Sequence, residues 1–258
     1  MRVRDGGSGP VVIKVSGLAG GSGLYDEEVA VARARGFRVV SVDSTGDRAD
    51  DPAPGRLDWD GLTGELAAVL DRLAVPRALL WGTSFGALVC LATAARHPRR
   101  VAGLLLAFPA EPGWRPAPHL ALLRWAERRA DPARAAASAF HACFVVLNLW
   151  EFVVPAALRR LPHVWRAMAE ARTPAATIRD KLGLLFRDHP GMPPRSLPCS
   201  IIAGGWDLVA PAAGARRLAA ALPGSRLRIL RCAGHAGAYS RARAYTRWSV
   251  DELTRLVE

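Results

Sequence analysis

Short apolar runs of strand type alternate along this chain with longer stretches whose apolar residues recur at helical spacing. Residues 11–17 (VVIKVSG) are mostly β-branched and end in glycine, which predicts a buried strand. Residues 25–35 predict a helix stopped by Gly36, a residue type favoured just past a helix end. A second strand is predicted over 38–43. From Leu62 the apolar residues Leu66, Val69, Leu70 and Leu73 follow at 4, 7, 8 and 11 positions, one face of a helix. Residues 79–83 and 101–108 predict two more strands. The helix between them, 87–97, contains no Gly or Pro and is apolar on nearly every side.

After Pro109 and Ala110 the alternation stops. Residues 112–195 carry helical patterns separated by Pro and Gly, with no convincing strand. The pattern resumes with a strand at 198–204, a helix at 212–221, a strand at 226–232 and a final helix near 242–256. Strands and helices alternating at this spacing imply βαβ crossovers and a sheet covered on both faces. The predicted class is α/β, a doubly wound, mostly parallel sheet with a helical cap insertion. Residues 1–110 and 196–258 form the core in this reading, and 111–195 form the insertion laid over the strand ends.

Composition narrows the picture without changing it. A chain of 258 residues, half of them apolar, can build one well-buried domain. Cys90, Cys143, Cys199 and Cys232 are far apart, with no CxxC pair and no Cys/His cluster at zinc-ligand spacing. Reduced thiols in a cytoplasmic protein, and no metal site, are expected. The net charge of +12 raises the question of nucleic acid. Yet the basic residues are nearly all arginine, only Lys14 and Lys181 being lysine, and they are scattered without an RNP motif, zinc finger or aromatic-interleaved strip. No nucleic-acid partner is expected. A basic surface suits an acidic partner, such as an acyl carrier protein, or an anionic substrate. The first seven residues, MRVRDGG, lack the apolar core of a signal peptide. The longest apolar stretch, 142–158, is broken by Asn148, Glu151 and Pro155, so no membrane span is expected.

The candidate chemistry starts at Gly82-Thr83-Ser84-Phe85-Gly86. An apolar strand precedes this G-x-S-x-G and a buried helix follows it, the layout of a nucleophile elbow. The turn is so tight that the residues two before and two after the serine must be small. It lifts the Ser84 hydroxyl over a helix N-terminus, whose N–H groups favour a developing negative charge. A serine nucleophile needs a base, and the base needs a carboxylate to fix its tautomer. Of six histidines, His235 directly follows a predicted strand and so stands at a carboxyl strand end, as Ser84 does. His97 closes the helix that Ser84 opens and is more than ten residues away; His119, His141, His163 and His189 lie in the insertion, where one could touch substrate. The best carboxylate is Asp207, between another strand and a helix, where a turn or N-cap role is its bland alternative. Glu111 is the runner-up.

With Ser84, Asp207 and His235 in that order, the chain resembles the α/β-hydrolase family over essentially its whole length. Three landmarks carry the resemblance: the pentapeptide at 82–86, the G-x-x-D-x-x-x-P pattern from Gly204 to Pro211, and Gly234-His235. The insertion falls where the family places its helical cap. The resemblance implies an oxyanion hole made by the backbone N–H groups of Phe85 and Leu18, and no metal or organic cofactor. Ser16-Gly17 stands where many relatives have His-Gly, the segment 43–47 matches the family only loosely, and the N-terminus looks too short for the whole leading hairpin.

Trp114, Trp125, Trp150 and Trp165 lie in the insertion, together with Phe140, Phe144, Leu147 and Phe152. Most must hold the cap onto the core, but a cap over strand ends also lines the pocket. An apolar or aromatic small-molecule acyl substrate is therefore expected, with Trp114, Phe144, Asn148 and Trp150 as candidate substrate contacts. Asn148 and Glu151, inside an apolar run, are read either as a polar anchor or as a solvent-facing side. The expected activity is that of a serine hydrolase acting on an ester, thioester or related acyl bond. A non-hydrolytic acyltransferase or cyclase, and a ligand-binding protein with an idle triad, are the alternatives.

Overall fold

In the computed structural model, which describes residues 2–43, 46–49, 57–113 and 116–258, strand β4 (Ala78–Thr83) is buried at every position. It sits in the middle of a seven-stranded sheet of order β1-β3-β2-β4-β5-β6-β7. The other strands are β1 (Arg2–Gly6), β2 (Val11–Val15), β3 (Arg38–Asp43), β5 (Val101–Ala107), β6 (Cys199–Gly204) and β7 (Arg226–Leu230). All neighbours pair in parallel except β1, which runs antiparallel to β3 at the edge. The β1 sequence RVRDG offers no apolar run, so the pattern did not announce it; the Arg38–Asp5 ion pair spans the same edge.

Alternation of side chains along each strand divides the core in two. Val12, Leu79, Trp81, Leu105 and Ile202 face α1 (Asp26–Ala34) and α11 (Ala242–Val257), packing with Val29, Ala32, Tyr245 and Leu253. Ile13, Leu80, Leu104, Leu106 and Ile201 face the other way, toward α2 (Trp59–Arg72), α3 (Phe85–Arg96) and α9 (Ala212–Ala221). Helix α2 starts three residues before Leu62 because Asp58 caps it, accepting the Gly61 N–H at 2.8 Å. Helix α3 is buried from Phe85 to Ala94, as an all-round apolar helix must be.

Between β5 and β6 the described residues hold helices only: α4 (Ala117–Glu127), α5 (Pro132–Phe152), α6 (Pro155–Leu158), α7 (Leu161–Ala171) and α8 (Ala175–Arg187). A four-residue helix, α10 (Gly237–Ser240), precedes α11. Leu123, Ala126, Ala136, Ala137, Ile178, Leu182 and Phe186 join α4, α5 and α8, with Ala19 from the loop after β2. The buried Lys181–Asp47 ion pair and the Thr173 hydroxyl donating to the Asp47 carbonyl at 2.8 Å tie this segment to the sheet side. Among the described residues, α5 is long and apolar enough to cross a bilayer by length and composition. Its inner face is occupied by the protein itself.

Two glycines give opposite predictions. A Cβ on Gly86 would lie 2.5 Å from the Val15 carbonyl oxygen and against that of Ser16. Gly86→Ala is expected to destabilise by about 3 kcal/mol or more. Gly64, exposed inside α2, has nothing within 4 Å of such a Cβ. Gly64→Ala should stabilise by about 1 kcal/mol, raising Tm by about 2–4 °C. Thermal melts of the two variants check both.

Candidate active site

The turn after β4 forces Ser84 to φ 54°, ψ −117°, an uncommon conformation for a residue with a side chain. Its N–H donates to the Ala107 carbonyl at 2.8 Å, which closes the end of β4 onto β5. The Ser84 Oγ lies 2.8 Å from His235 Nε2. On the other side of the ring, His235 Nδ1 is 2.8 Å from Asp207 Oδ2. The second Asp207 oxygen accepts the N–H groups of Val209 (2.8 Å) and Ala210 (2.7 Å). The turn role and the histidine contact, alternatives in the sequence, are thus served by the two oxygens of one carboxyl group. A Cβ at Gly204 would lie 2.5 Å from the carbonyl oxygens of Ala233 and Gly234, so the histidine loop packs backbone to backbone on the end of β6.

The loop after β2 closes the same region. A Cβ on Gly17 would lie 3.3 Å from the Thr83 carbonyl oxygen and 3.4 Å from the Ser84 Cβ, so the loop passes close to the serine at Gly17. Gly17 N–H donates to the Tyr25 hydroxyl at 3.1 Å. Below this loop Lys14, fully buried in β2, donates to Thr83 Oγ1 at 2.7 Å and pairs with Glu28 at 2.8 Å. Its ammonium also stands 4.2 Å from the ring centroids of Tyr25 and Trp81. Burial pushes the Lys14 pKa down and the Glu28 pKa up, and the attraction between the two opposes both shifts. The Tyr245 hydroxyl completes the cluster, 3.1 Å from Glu28.

Ser84 and His235 line an apolar cavity that is open at its mouth. Phe140, Phe144 and Leu147 from α5 line it, with Leu182 and Phe186 from α8. Phe144 meets the His235 ring edge-on at 6.1 Å. His119, from α4, is the polar ring in this wall, packed at 5.5 Å against Phe186. Phe85 is also in the lining; its ring stacks on Trp59 at 5.7 Å, with Lys181 Nζ 5.7 Å from the ring centroid.

Other sequence expectations meet a different arrangement. Asn148 does not face the cavity: it is buried at 1 % exposure, and its Oδ1 accepts the His235 N–H at 3.1 Å. Glu151 is fully buried beside it and holds Ala236 and Ser240, so neither residue faces solvent. Trp150 packs on Trp206 (5.4 Å) and against Gly234, outside the cavity lining. The helix turns it toward the histidine loop, while Phe144 and Leu147 point into the pocket. Glu111 is engaged by Arg217, which bonds both its oxygens at 2.6 Å. Trp114 lies outside the described residues. The roles of Tyr25, Lys14 and Glu151 escaped sequence reading, although a glutamate inside an apolar run already signals a buried partner.

This fold and this site define an alpha/beta hydrolase, and the chain belongs to that family, whose model matches residues 15–248. Among its relatives is a Klebsiella pneumoniae protein provisionally named carbamate hydrolase RutD, 30% identical over 247 residues, covering 88% of this chain and 85% of that one. A zearalenone hydrolase of Cladophialophora bantiana is 31% identical over 100 residues; that match spans 37% of each chain, little more than a third of the relative's length. The enol-lactonase from Burkholderia xenovorans superposes with a TM-score of 0.79 at 26% identity, covering 98% of this chain and 96% of that structure. The Klebsiella and Cladophialophora relatives carry hydrolase names, and a further relative, from Mycobacterium phage D29, is provisionally named a non-heme haloperoxidase.

Burial lowers the His119 pKa. A histidine depressed below its unfolded value of about 6.5 contributes stability above that pH, lost as the pH falls through the folded value. Between pH 7 and pH 5, His119→Phe should therefore lose less Tm than the parent protein; equal losses in the two would contradict it.

Proposed function

We propose that the chain is a serine hydrolase that cleaves an ester, thioester or related acyl bond of an apolar or aromatic small molecule through an acyl-enzyme. The carrying observation is the hydrogen-bonded line from Ser84 Oγ through both nitrogens of His235 to Asp207, 2.8 Å at each link, opening into an apolar cavity. Asp207 holds the proton on Nδ1, which leaves Nε2 free to take the Ser84 proton as Oγ attacks the acyl carbon. The carbonyl electrons move onto oxygen, and the N–H groups of Phe85 and Leu18 receive that oxyanion. Donors of this kind each contribute about 10²–10³ in rate. Imidazolium then protonates the leaving group as its bond to the acyl carbon breaks. Water, deprotonated by the same Nε2, attacks the acyl carbon; the bond to Ser84 Oγ then breaks, the imidazolium returns the proton to Oγ, and the acid leaves.

The cavity wall supports the substrate class. Apart from Ser84, His235, His119 and Cys143 the lining is aliphatic and aromatic and offers little compensation for a buried charge, so a neutral, largely apolar acyl group suits it. The helices over the strand ends act as the cap in this reading.

Intact mass after exposure to a fluorophosphonate probe tests the reading. One adduct is expected on the parent protein and none on Ser84→Ala or His235→Ala. Turnover of short aryl esters should fall by about 10⁴-fold or more in both variants. A folded parent protein whose pocket takes an apolar dye yet never gains the adduct would leave the triad idle and sink the proposal.

A further inference from the structure

Helix α5 carries two sets of residues with different duties. Phe140, Phe144 and Leu147 face the cavity. Asn148 and Glu151, three residues apart and thus neighbours on the helix surface, face the loop that carries His235. Asn148 donates from Nδ2 to the Phe144 carbonyl at 2.7 Å, which fixes its side chain, and accepts the His235 N–H on Oδ1 at 3.1 Å. Glu151, at 0 % exposure, accepts the Ala236 N–H on Oε2 at 2.8 Å and the Ser240 hydroxyl on Oε1 at 2.5 Å. The approach is close: a Cβ on Gly234 would lie 2.5 Å from Glu151 Oε2 and 3.1 Å from the Trp150 ring.

We propose that Asn148 and Glu151 are positioning residues for His235, so that the docking of α5 completes the triad. Two successive backbone N–H groups, those of His235 and Ala236, take their hydrogen bonds from this helix. Buried N–H groups left without acceptors are costly, so the loop relaxes once these side chains are removed. Ser84 and Asp207 are held by the ends of β4 and β6 and by their own turns. The histidine ring is held by Asp207 on one side, while its backbone is held from α5. A shift of about 1 Å in a proton-transferring group costs on the order of 10²-fold in rate.

The same helix also forms a pocket wall. An acyl group seated against Phe144 and Leu147 presses on the element that fixes the base, which couples filling of the pocket to alignment of His235. This inference rests on the hydrolase reading for its rate effects and on geometry alone for the placement of the histidine.

The experiment uses the full chain with Asn148→Ala, Glu151→Gln and Glu151→Leu, and Leu149→Ser on the exposed face of the same helix as control. Kinetics with a short aryl ester, the rate of fluorophosphonate labelling, and ¹⁵N resonances of the His235 ring (assigned by their loss in His235→Ala) are measured on protein shown folded by thermal melt. Asn148→Ala is expected to lower kcat and the labelling rate by about 10²-fold, with KM within about threefold. Glu151→Gln keeps an acceptor oxygen and should lose about tenfold or less, while Glu151→Leu loses more; Leu149→Ser should match the parent. The His235 resonances should shift or broaden in Asn148→Ala. Parent-like rates and resonances in a folded Asn148→Ala overturn the proposal, as does an equal loss in Leu149→Ser. If the parent protein itself neither labels nor turns over, the hydrolase reading falls separately, and the His235 resonances of parent and Asn148→Ala alone decide the positioning role.

Discussion

The arrangement of this site depends on backbone packed directly against backbone at three glycines. Gly82 and Gly86 flank Ser84, and a Cβ on either would run into main-chain atoms, those of Ala87 at 2.6 Å for Gly82 and Val15 at 2.5 Å for Gly86. Gly204 admits the carbonyls of the histidine loop in the same way. Only these approaches let a strained serine at φ 54° stand beside strand β2 and within reach of a loop that begins more than 140 residues later. Such a conformation costs on the order of 1–3 kcal/mol. It persists because both neighbours are over-determined: β4 is buried throughout, and α3 buries nearly its whole length.

Around that packed centre, the protein places buried polar groups where loops need anchoring. Lys14 reaches from the middle of the sheet to Thr83, the residue before the serine, while Tyr25 beside it accepts the N–H of Gly17 in the loop after β2. Taking Lys14 and Glu28 out of water is costly, and their mutual attraction, together with the Thr83 and Tyr245 hydroxyls, offsets that cost. Removing one partner would strand the other in an apolar core, at about 3–5 kcal/mol, although the pair as a whole adds little net stability. The cluster is better understood as a fixture for geometry. It sets the height of the turn against the strand, as the Asp207 turn sets the carboxylate against the ring.

How legible this was in the sequence follows from the range of each interaction. Strand β3 and helix α9 coincide with the predicted spans 38–43 and 212–221, because burial and helical period are local properties. Ser84, Asp207 and His235 could be picked out because each lies shortly after the end of a recognisable strand, and parallel strands deliver their ends to one rim. Asn148 and Glu151 could not be assigned, since their partners lie 87 and 85 residues away and no local period encodes that meeting. Glu111 failed as the alternative acid for the same reason: Arg217, 106 residues on, occupies it. Edge strand β1, RVRDG, has Val3 as its one apolar side chain and pairs on one side only, so neither length nor hydrophobicity marks it. Trp150 shows that membership in an aromatic segment does not settle direction; one helical turn separates a pocket wall from a loop support.

The division of labour between sheet and insertion has a consequence for how the site can vary. Ser84 and Asp207 belong to strand ends whose glycines tolerate no side chain, so their placement is rigid. His235 shares its support with the pocket wall, because one 21-residue helix presents Phe144 and Leu147 to the cavity and Asn148 and Glu151 to the histidine loop. Exchanging cavity residues for others of equal volume alters what fits while leaving the helix axis in place. Exchanges that overpack the cavity push on α5, and that displacement is delivered to His235 through two hydrogen bonds. Under the proposed function, substrate range and proton transfer are therefore separable only within the volume this helix can accommodate without moving.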